Sequence, residues 1–346
     1  MTEAVIPGAE GRVIGDINWS YPWQSARADF LAGLTVAAIS LPQSIAYALL
    51  AGVDPRFGLF AAIIFTAVAG ILGSSRHLVN GPTGAVSLVV FSALAFIDPE
   101  ARIDAYEAMF LLAVLIGIIQ IGIAVLKLGD LTRYISESVV TGFIVGAACL
   151  TIIGQVANAL GVKAQGTGHQ HVLWRLWLTL TQEASLNPRA LTISIGAIVL
   201  ALLSRRVVRH FKLPQLDMFF VLLLVSVGAW LAGWSEHGGG VKPAVSLIEA
   251  MQASLPQPHI PEIKWRWFAD LSGSAFALAV LGLLEALAIA KAIAHKSGQQ
   301  LDYNRQILAE GVGNLVGGFF RAMPGEGSLS RTTINFQAGA VTRFSG

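Results

Sequence analysis

The chain has 346 residues, of which 54% are hydrophobic and 13% are charged, and its mean hydropathy is +0.65. This composition excludes a single soluble domain with a polar surface, so the lipid bilayer must act as its solvent. The net charge of only +2 gives a nucleic acid little to bind, and we expect no nucleic-acid partner.

The N-terminal 27 residues contain no short apolar core followed by a small-residue cleavage site, so they predict a cytoplasmic tail rather than a signal peptide. The single cysteine, Cys149, lies in an apolar run, which excludes a disulfide within the chain and a cysteine metal cluster. The seven histidines form no mid-span pair with another metal ligand, so neither a metal site, a cofactor nor an enzyme is expected.

A membrane-spanning helix needs about 20 apolar residues, and by this measure the chain contains ten hydrophobic segments. They lie near residues 29–50, 57–73, 82–97, 107–127, 134–160, 190–209, 216–233, 270–294, 304–320 and 328–342. The third and tenth are short and follow turn sequences, Asn80-Gly81-Pro82 and Pro324-Gly325-Glu326-Gly327. We therefore predict an all-α membrane protein with half-helices at spans three and ten.

Basic residues alternate between the loops as expected for a chain whose N-terminus is cytoplasmic. The predicted inner loops carry Arg76, Lys127, a basic cluster at 205–212 and Lys291, whereas the long loop at 161–189 is an exception. Trp174 and Trp177 in that loop, and Trp265 and Trp267 before the eighth span, suit the membrane interface. The pattern predicts a multi-pass protein of the inner, or plasma, membrane.

Short, Gly/Pro-interrupted segments at corresponding places in two halves are a sequence sign of a transporter's binding site. If spans eight to ten repeat spans one to three in inverted orientation, the N-termini of the two half-helices meet near the bilayer midplane. Each N-terminus offers free N–H groups and a partial positive charge, so together they form an anion site. The candidate residues there are Thr83, Gly84, Ser87, Ser328, Ser330 and Thr332. The alternative is that the hydroxyl residues among them only cap helices.

Three other positions place polar groups inside apolar spans. Gln43 follows Pro42, where a kink or a short unwound turn is expected, and it serves either the freed backbone groups or a ligand. Tyr47 lies one turn further on the same face and predicts an aromatic pocket wall, although core packing is the commoner role. Glu285 predicts a proton-coupling acid, and its alternative is an ion pair with Arg331, which would otherwise supply positive charge to the anion.

Two blocks of sequence give these positions a family context. The stretches LPQSIAYALLAGVDPRFGLFAA (41–62) and GSSRHLVNGPTGAVSLVV (73–90) resemble the first three spans of SulP (sulfate permease, solute carrier 26) transporters. The stretches EALAIAKAIAHKSGQQLDYNRQILAEGVGNLVGGFF (285–320) and PGEGSLSRTTINFQAGAVT (324–342) are similar to spans eight to ten of the same family. The similarity begins near residue 27 and continues to the end.

The resemblance implies fourteen spans in two inverted seven-span repeats, an elevator movement of a core domain against a gate domain, and a homodimer. It divides this sequence into a tail (1–27), core spans 1–4 (28–128), gate spans 5–7 (129–235), an outer loop (236–269) and core spans 8–10 (270–346). Spans 11–14 and a cytoplasmic STAS domain, which the family has, would lie beyond the tenth span, so a fragment, or completion by a second chain, is expected.

Carried over by motif, the resemblance assigns Gln43, Tyr47, Thr83, Ser330 and Arg331 to the anion pocket. Glu285 matches the acid of proton-coupled members. The implied function is proton-coupled symport of an inorganic anion, with sulfate preferred. The alternatives are a bicarbonate or chloride transporter or exchanger of the same family, a nucleobase permease of the same architecture, and a passive channel.

Overall fold

The computed structural model describes residues 23–94, 97, 102–129, 137–166, 170–182, 186–211, 217–234 and 255–346. These residues form eleven α-helices, a short 3₁₀ helix (Arg343–Ser345) and one two-stranded sheet. The helices are α1 (Trp23–Leu50), α2 (Pro55–Leu72), α3 (Gly84–Leu94), α4 (Arg102–Val125), α5 (Glu137–Leu160), α6 (Val172–Gln182), α7 (Pro188–Phe211), α8 (Asp217–Leu231), α9 (Trp265–Ser297), α10 (Tyr303–Gly318) and α11 (Leu329–Gln337). The strands are β1 (Asn80–Gly81) and β2 (Glu326–Gly327).

Among the described residues, five helices are long and apolar enough to cross a bilayer. They are α1, α2, α4, α7 and α9. The candidate span is the whole helix in α1, α2 and α9, Asp104–Val125 in α4 and Pro188–Val208 in α7. Shorter apolar helices or parts of helices occur at Gly84–Leu94, Ala148–Leu160 and Phe220–Leu231. The chain is therefore a largely helical, multi-pass membrane protein.

Every predicted apolar segment overlaps a helix, and the loop that carries Trp174 and Trp177 contains the short helix α6. Two domain boundaries differ from the helix bounds. Helix α1 begins at Trp23 within the predicted tail, and α9 begins at Trp265 within the predicted outer loop. Most of that tail, residues 1–22, and much of that loop, residues 235–254, lie outside the described residues.

The expected unwound turn after Pro42 is absent from α1, which continues without interruption from Trp23 to Leu50. A proline removes one backbone donor, and a transmembrane helix tolerates this loss where neighbouring groups compensate for it. Of the two outcomes expected at Pro42, a kink or a short unwound turn, the unwound turn does not occur, and Gln43 lies within the helix.

Close backbone contacts hold α10 against α4. A Cβ atom at Gly117 of α4 would lie 2.5 Å from the backbone nitrogen of Leu315, and one at Gly318 would lie 2.7 Å from the carbonyl oxygen of Phe110. Because apolar side chains gain little from leaving lipid, membrane helices associate through such close approaches at small residues. The α4–α10 pair thus gives the first and last thirds of the chain a rigid common support.

Candidate functional site

The segments that lead into α3 and α11 are hydrogen-bonded to each other. Strand β1 runs antiparallel to β2, with Asn80 opposite Gly327 and Gly81 opposite Glu326. The Ser328 N–H donates to the Val79 carbonyl at 2.9 Å, and the Val79 N–H donates to the Thr332 hydroxyl at 3.0 Å. The sheet, which an all-α prediction omits, thus brings the starts of two short helices together.

A buried amide fixes the turn before β2. The Asn314 side chain of α10 accepts a hydrogen bond from the Gly325 N–H and donates one to the Gly325 carbonyl, each at 3.0 Å. Its Nδ2 also donates to Gln120 of α4 at 3.0 Å. Buried polar networks that are fully paired specify one geometry, so the rigid α4–α10 pair sets the position of β2.

Five of the predicted site residues, Thr83, Ser87, Ser328, Arg331 and Thr332, are buried. The Ser87 hydroxyl donates to the Thr83 carbonyl at 2.6 Å, so it bonds within its own helix. Ser328 is the N-cap of α11 but makes no side-chain capping bond. The simple capping interpretation therefore does not describe Ser328, whose hydroxyl lies 3.4 Å from that of Ser330.

The other predicted residues, Gln43, Tyr47, Gly84, Glu285 and Ser330, are partly or fully accessible. A Cβ atom at Gly84 would lie 3.5 Å from the Tyr47 ring, so α1 packs closely against the start of α3. The Tyr47 hydroxyl lies within electrostatic reach of Arg331 and Glu285. The structure thus brings residues of α1, α3, α9 and α11 to one place.

The Arg331 side chain is completely buried and is only partly hydrogen-bonded. Its Nη2 donates to the Pro82 carbonyl at 2.5 Å, whereas Nε and Nη1 have no acceptor among the described residues. Within the residues that the structure describes, Arg331 forms no ion pair with Glu285. That ion pair was the structural alternative for both residues. Two guanidinium nitrogens therefore remain for another acceptor.

Sequence reasoning overlooked two acids. Glu326 of β2 and Glu310 of α10 are each 1% exposed. The Thr83 hydroxyl donates to Glu326 Oε1 at 2.5 Å, and the Gln306 amide donates to Glu310 Oε1 at 3.0 Å. An ionisable residue within or next to an apolar segment is a functional candidate by default, and this signal was present at both positions. Thr151 of α5 was also overlooked, and its hydroxyl lies 3.3 Å from a Cβ position at Gly84.

The chemistry of this arrangement favours an anion. Helix N-termini present backbone donors and partial positive charge, and a buried guanidinium adds a full charge with directed N–H groups. The place where α3 and α11 begin is therefore the candidate anion site.

The sulfate permease family model matches residues 27–346. Low affinity sulfate transporter 3 of Stylosanthes hamata is 31% identical over 345 residues, which are 95% of this chain and 53% of that protein. The transmembrane domain of the cyanobacterial bicarbonate transporter BicA is 22% identical with a TM-score of 0.80, over 94% of this chain and 80% of that one.

The murine Slc26a9 anion transporter in its inward-facing state has a TM-score of 0.83 at 20% identity, over 94% of this chain and 55% of that one. At such identities the two solved structures show a shared fold. The chain spans about half the length of the curated sulfate transporters that it matches, 53% and 47% in two examples.

Proposed function

The chain belongs to the sulfate permease family, and on this premise we propose that it forms the anion-binding part of a secondary transporter for sulfate, driven by protons. The observation that carries the proposal is the buried Arg331, whose Nε and Nη1 have no acceptor among the described residues at the starts of α3 and α11. A dianion at this point would accept from these N–H groups and from the helix termini.

In this proposal α3 and α11 are the half-helices of spans three and ten. Their 11 and 9 residues are fewer than the ~20 that a complete span needs. Broken spans whose N-termini point at an anionic substrate are a recurring feature of secondary transporters. Gln43, Tyr47 and Ser330 would contact the anion directly, because they are partly exposed, while Thr83, Ser87 and Ser328 support the backbone around it.

Coupling to protons is assigned to Glu285. Its carboxyl group lies near the Tyr47 hydroxyl, and it forms no ion pair among the residues that the structure describes. Protonation of this group cancels one negative charge next to an incoming anion, so proton and anion binding favour each other. The proton is released to water after the anion has left, which returns the site to its starting state.

Movement would follow the family's elevator scheme. The core comprises residues 28–128 and 270–346, which the α4–α10 contact ties together, and the gate comprises residues 129–235. The protein would work as a homodimer in the plasma membrane with a cytoplasmic N-terminus. The names of the curated relatives favour sulfate, as in the transporter of Stylosanthes hamata.

The first experiment is uptake of labelled sulfate by the full-length protein in proteoliposomes, with an inward proton gradient and with bicarbonate, chloride and a nucleobase as competitors. We expect uptake that acid stimulates and unlabelled sulfate suppresses. Suppression by bicarbonate or chloride alone would show that this anion, and not sulfate, is the substrate. Suppression by the nucleobase alone would show that the substrate is not an inorganic anion. Uptake that does not respond to the gradient would contradict symport.

Arg331→Ala tests the position of the pocket. Charged hydrogen bonds contribute about 1.5–3 kcal/mol, so we expect sulfate affinity to fall at least ~10-fold. Ser330→Ala together with Arg331→Ala should weaken binding further. The matched control is Arg266→Ala, since the Arg266 side chain is 90% exposed at the start of α9. Unchanged sulfate binding in the double variant, measured by calorimetry, would show that the anion binds elsewhere.

A further inference from the structure

A second carboxyl group faces Glu285 from the strand pair. Glu326 is 1% exposed, and β2 packs directly on α9, because a Cβ atom at Gly327 would lie 2.9 Å from the Cα atom of Ala286. A Cβ atom at Gly282, one turn before Glu285, would lie 2.9 Å from Glu326 Oε2. At this level of α9 the carboxyl groups of Glu285 and Glu326 lie close enough to interact directly.

This contact has a chemical requirement. An ionised carboxylate only accepts hydrogen bonds, so two carboxyl groups can bond to each other only when one of them carries a proton. The Thr83 hydroxyl occupies Glu326 Oε1, and Oε2 of both acids is buried without a donor among the described residues. No protein donor in that part of the chain therefore replaces the proton.

The neighbouring charged groups do not replace the proton between Glu285 and Glu326 either. Glu326 faces Glu285 of α9, Glu310 of α10 and Arg331 of α11, while Tyr47 of α1 faces Glu285 and Arg331. Glu310 accepts a hydrogen bond from Gln306, and among the described residues the Arg331 guanidinium donates to the Pro82 carbonyl alone. Glu285 and Glu310 thus both act on Glu326, which Arg331 also faces, and in a low-dielectric site adjacent like charges cannot all remain ionised.

We propose that Glu285 and Glu326 together form one binding site for a single proton, which their two carboxyl groups share, and that this pair is the proton-coupling unit. The proposal rests on the proposed function and assigns its coupling site. Binding forms one O–H bond between the pair and a proton from water, and release returns that proton to water. The pair alternates between net charges of −1 and −2, and the −1 state accompanies the bound anion.

The shared proton connects the two blocks of sequence that resemble the family, 41–90 and 285–342. Glu285 belongs to α9, whereas Glu326 is held by Thr83 at the start of α3 and by β1. Loss of the proton places two negative charges in direct contact and pushes α9 and β2 apart. Proton occupancy therefore acts on the packing around Arg331 as well as on the local charge.

The test uses the full-length protein in lipid and two readouts. Infrared spectroscopy detects protonated carboxyl groups without any transport, and sulfate uptake at acid and neutral pH measures coupling. The variants are Glu285→Gln, Glu326→Gln and the double variant, and Glu262→Gln is the control because its side chain is 59% exposed. Exchange of labelled sulfate at one fixed pH corrects each variant for folding.

We expect Glu285→Gln and Glu326→Gln to remove the same carboxylic-acid band, because a glutamine amide donates to the remaining carboxylate. Each single variant should lose the acid stimulation of uptake, and the double variant should lose no more, since members of one unit are not additive. The control should keep both band and stimulation.

Several results would overturn the pair. These are the absence of any carboxylic-acid band that both single variants remove, acid stimulation that survives Glu326→Gln, and stimulation by sodium in place of protons. If neither the wild-type protein nor any variant transports sulfate, the proposed function is wrong. The infrared comparison still decides whether the two carboxyl groups share a proton.

Discussion

At Gly81 the buried Arg331 side chain leaves no room for a Cβ atom. Gly81 has φ = +143°, and a Cβ atom there would lie 2.7 Å from Nη1 of Arg331. Glycine alone adopts this conformation at little cost and leaves room for the guanidinium. The Asn-Gly-Pro sequence thus positions the charge as well as the turn.

We expect Gly81→Ala to displace the Arg331 guanidinium and to reduce sulfate affinity at least ~10-fold, since the charged hydrogen bonds at stake are worth about 1.5–3 kcal/mol. Gly339→Ala separates this effect from backbone strain. Gly339 also has a positive φ of 85°, but a Cβ atom there would meet nothing within 4 Å. Both variants should unfold at lower temperature. Equal affinities for sulfate in the two variants would contradict the steric argument.

Some site residues can be recognised as candidates from the sequence, and others cannot. Glu285 stands alone in an apolar run, and Arg331 follows a clear turn, so both are recognisable as candidates. Glu326 lies within Pro-Gly-Glu-Gly, which indicates a loop with solvated charge. Its burial depends on pairing with β1, about 245 positions earlier, and a contact of that range leaves no local pattern.

Among the elements, helices were predictable and strands were not. Runs of apolar residues indicate membrane helices because lipid demands that each span satisfies its own backbone. The strands have two residues each, so they have no periodicity to detect. At Pro42 the sequence left a kink and a short unwound turn open, and α1 continues through the proline without an unwound turn.

The start of α2 depends on a charged cap. Asp54 Oδ1 accepts from the Arg56 N–H at 2.9 Å, and Arg56 Nη2 lies 2.7 Å from Oδ2. These hydrogen bonds from Arg56 lower the pKa of Asp54 below its ordinary value. A lowered pKa in the folded state adds stability above pH ~4, where the unfolded carboxyl is ionised, and this stability is lost as the pH falls through the folded pKa.

Asp54→Asn keeps a capping side chain and removes the charge, so it isolates the ion pair. The pair is partly solvent-accessible, and we expect the variant to lose no more than ~1 kcal/mol at neutral pH. Thermal unfolding of the two proteins in detergent should give midpoints that converge as the pH falls below about 4. A gap that stays constant down to pH ~2 would show that the cap, rather than its charge, stabilises α2.

On the scale of the whole molecule, apolar side chains cover much of the outer surface. Helices α7 and α8 expose Ile198, Leu202 and Trp230, which are 60%, 64% and 66% accessible. Such a surface is compatible with lipid or with further transmembrane protein. The sequence predicted the apolar character of these helices, but it cannot assign their partners.

Cys149 reports on that surface because it is the only cysteine in the sequence and is exposed in α5. Maleimides react with the thiolate, which lipid disfavours, so we expect slow labelling in intact membranes and rapid labelling after denaturation. A cysteine introduced by Glu262→Cys in a Cys149→Ser background is the water-exposed control. Fast reaction of Cys149 with a membrane-impermeant reagent would place it in an aqueous cavity.

The pairing of β1 with β2 imposes an order on biosynthesis. At 5–20 residues per second, Glu326 leaves the ribosome roughly 12–50 s after Gly81, its partner. During that interval the backbone groups of Asn80 and Gly81 have no strand to bond with, and bare peptide groups do not persist in hydrocarbon. The nascent chain must therefore keep this segment in water, in the translocation machinery or against an interim neighbour until its partner is made.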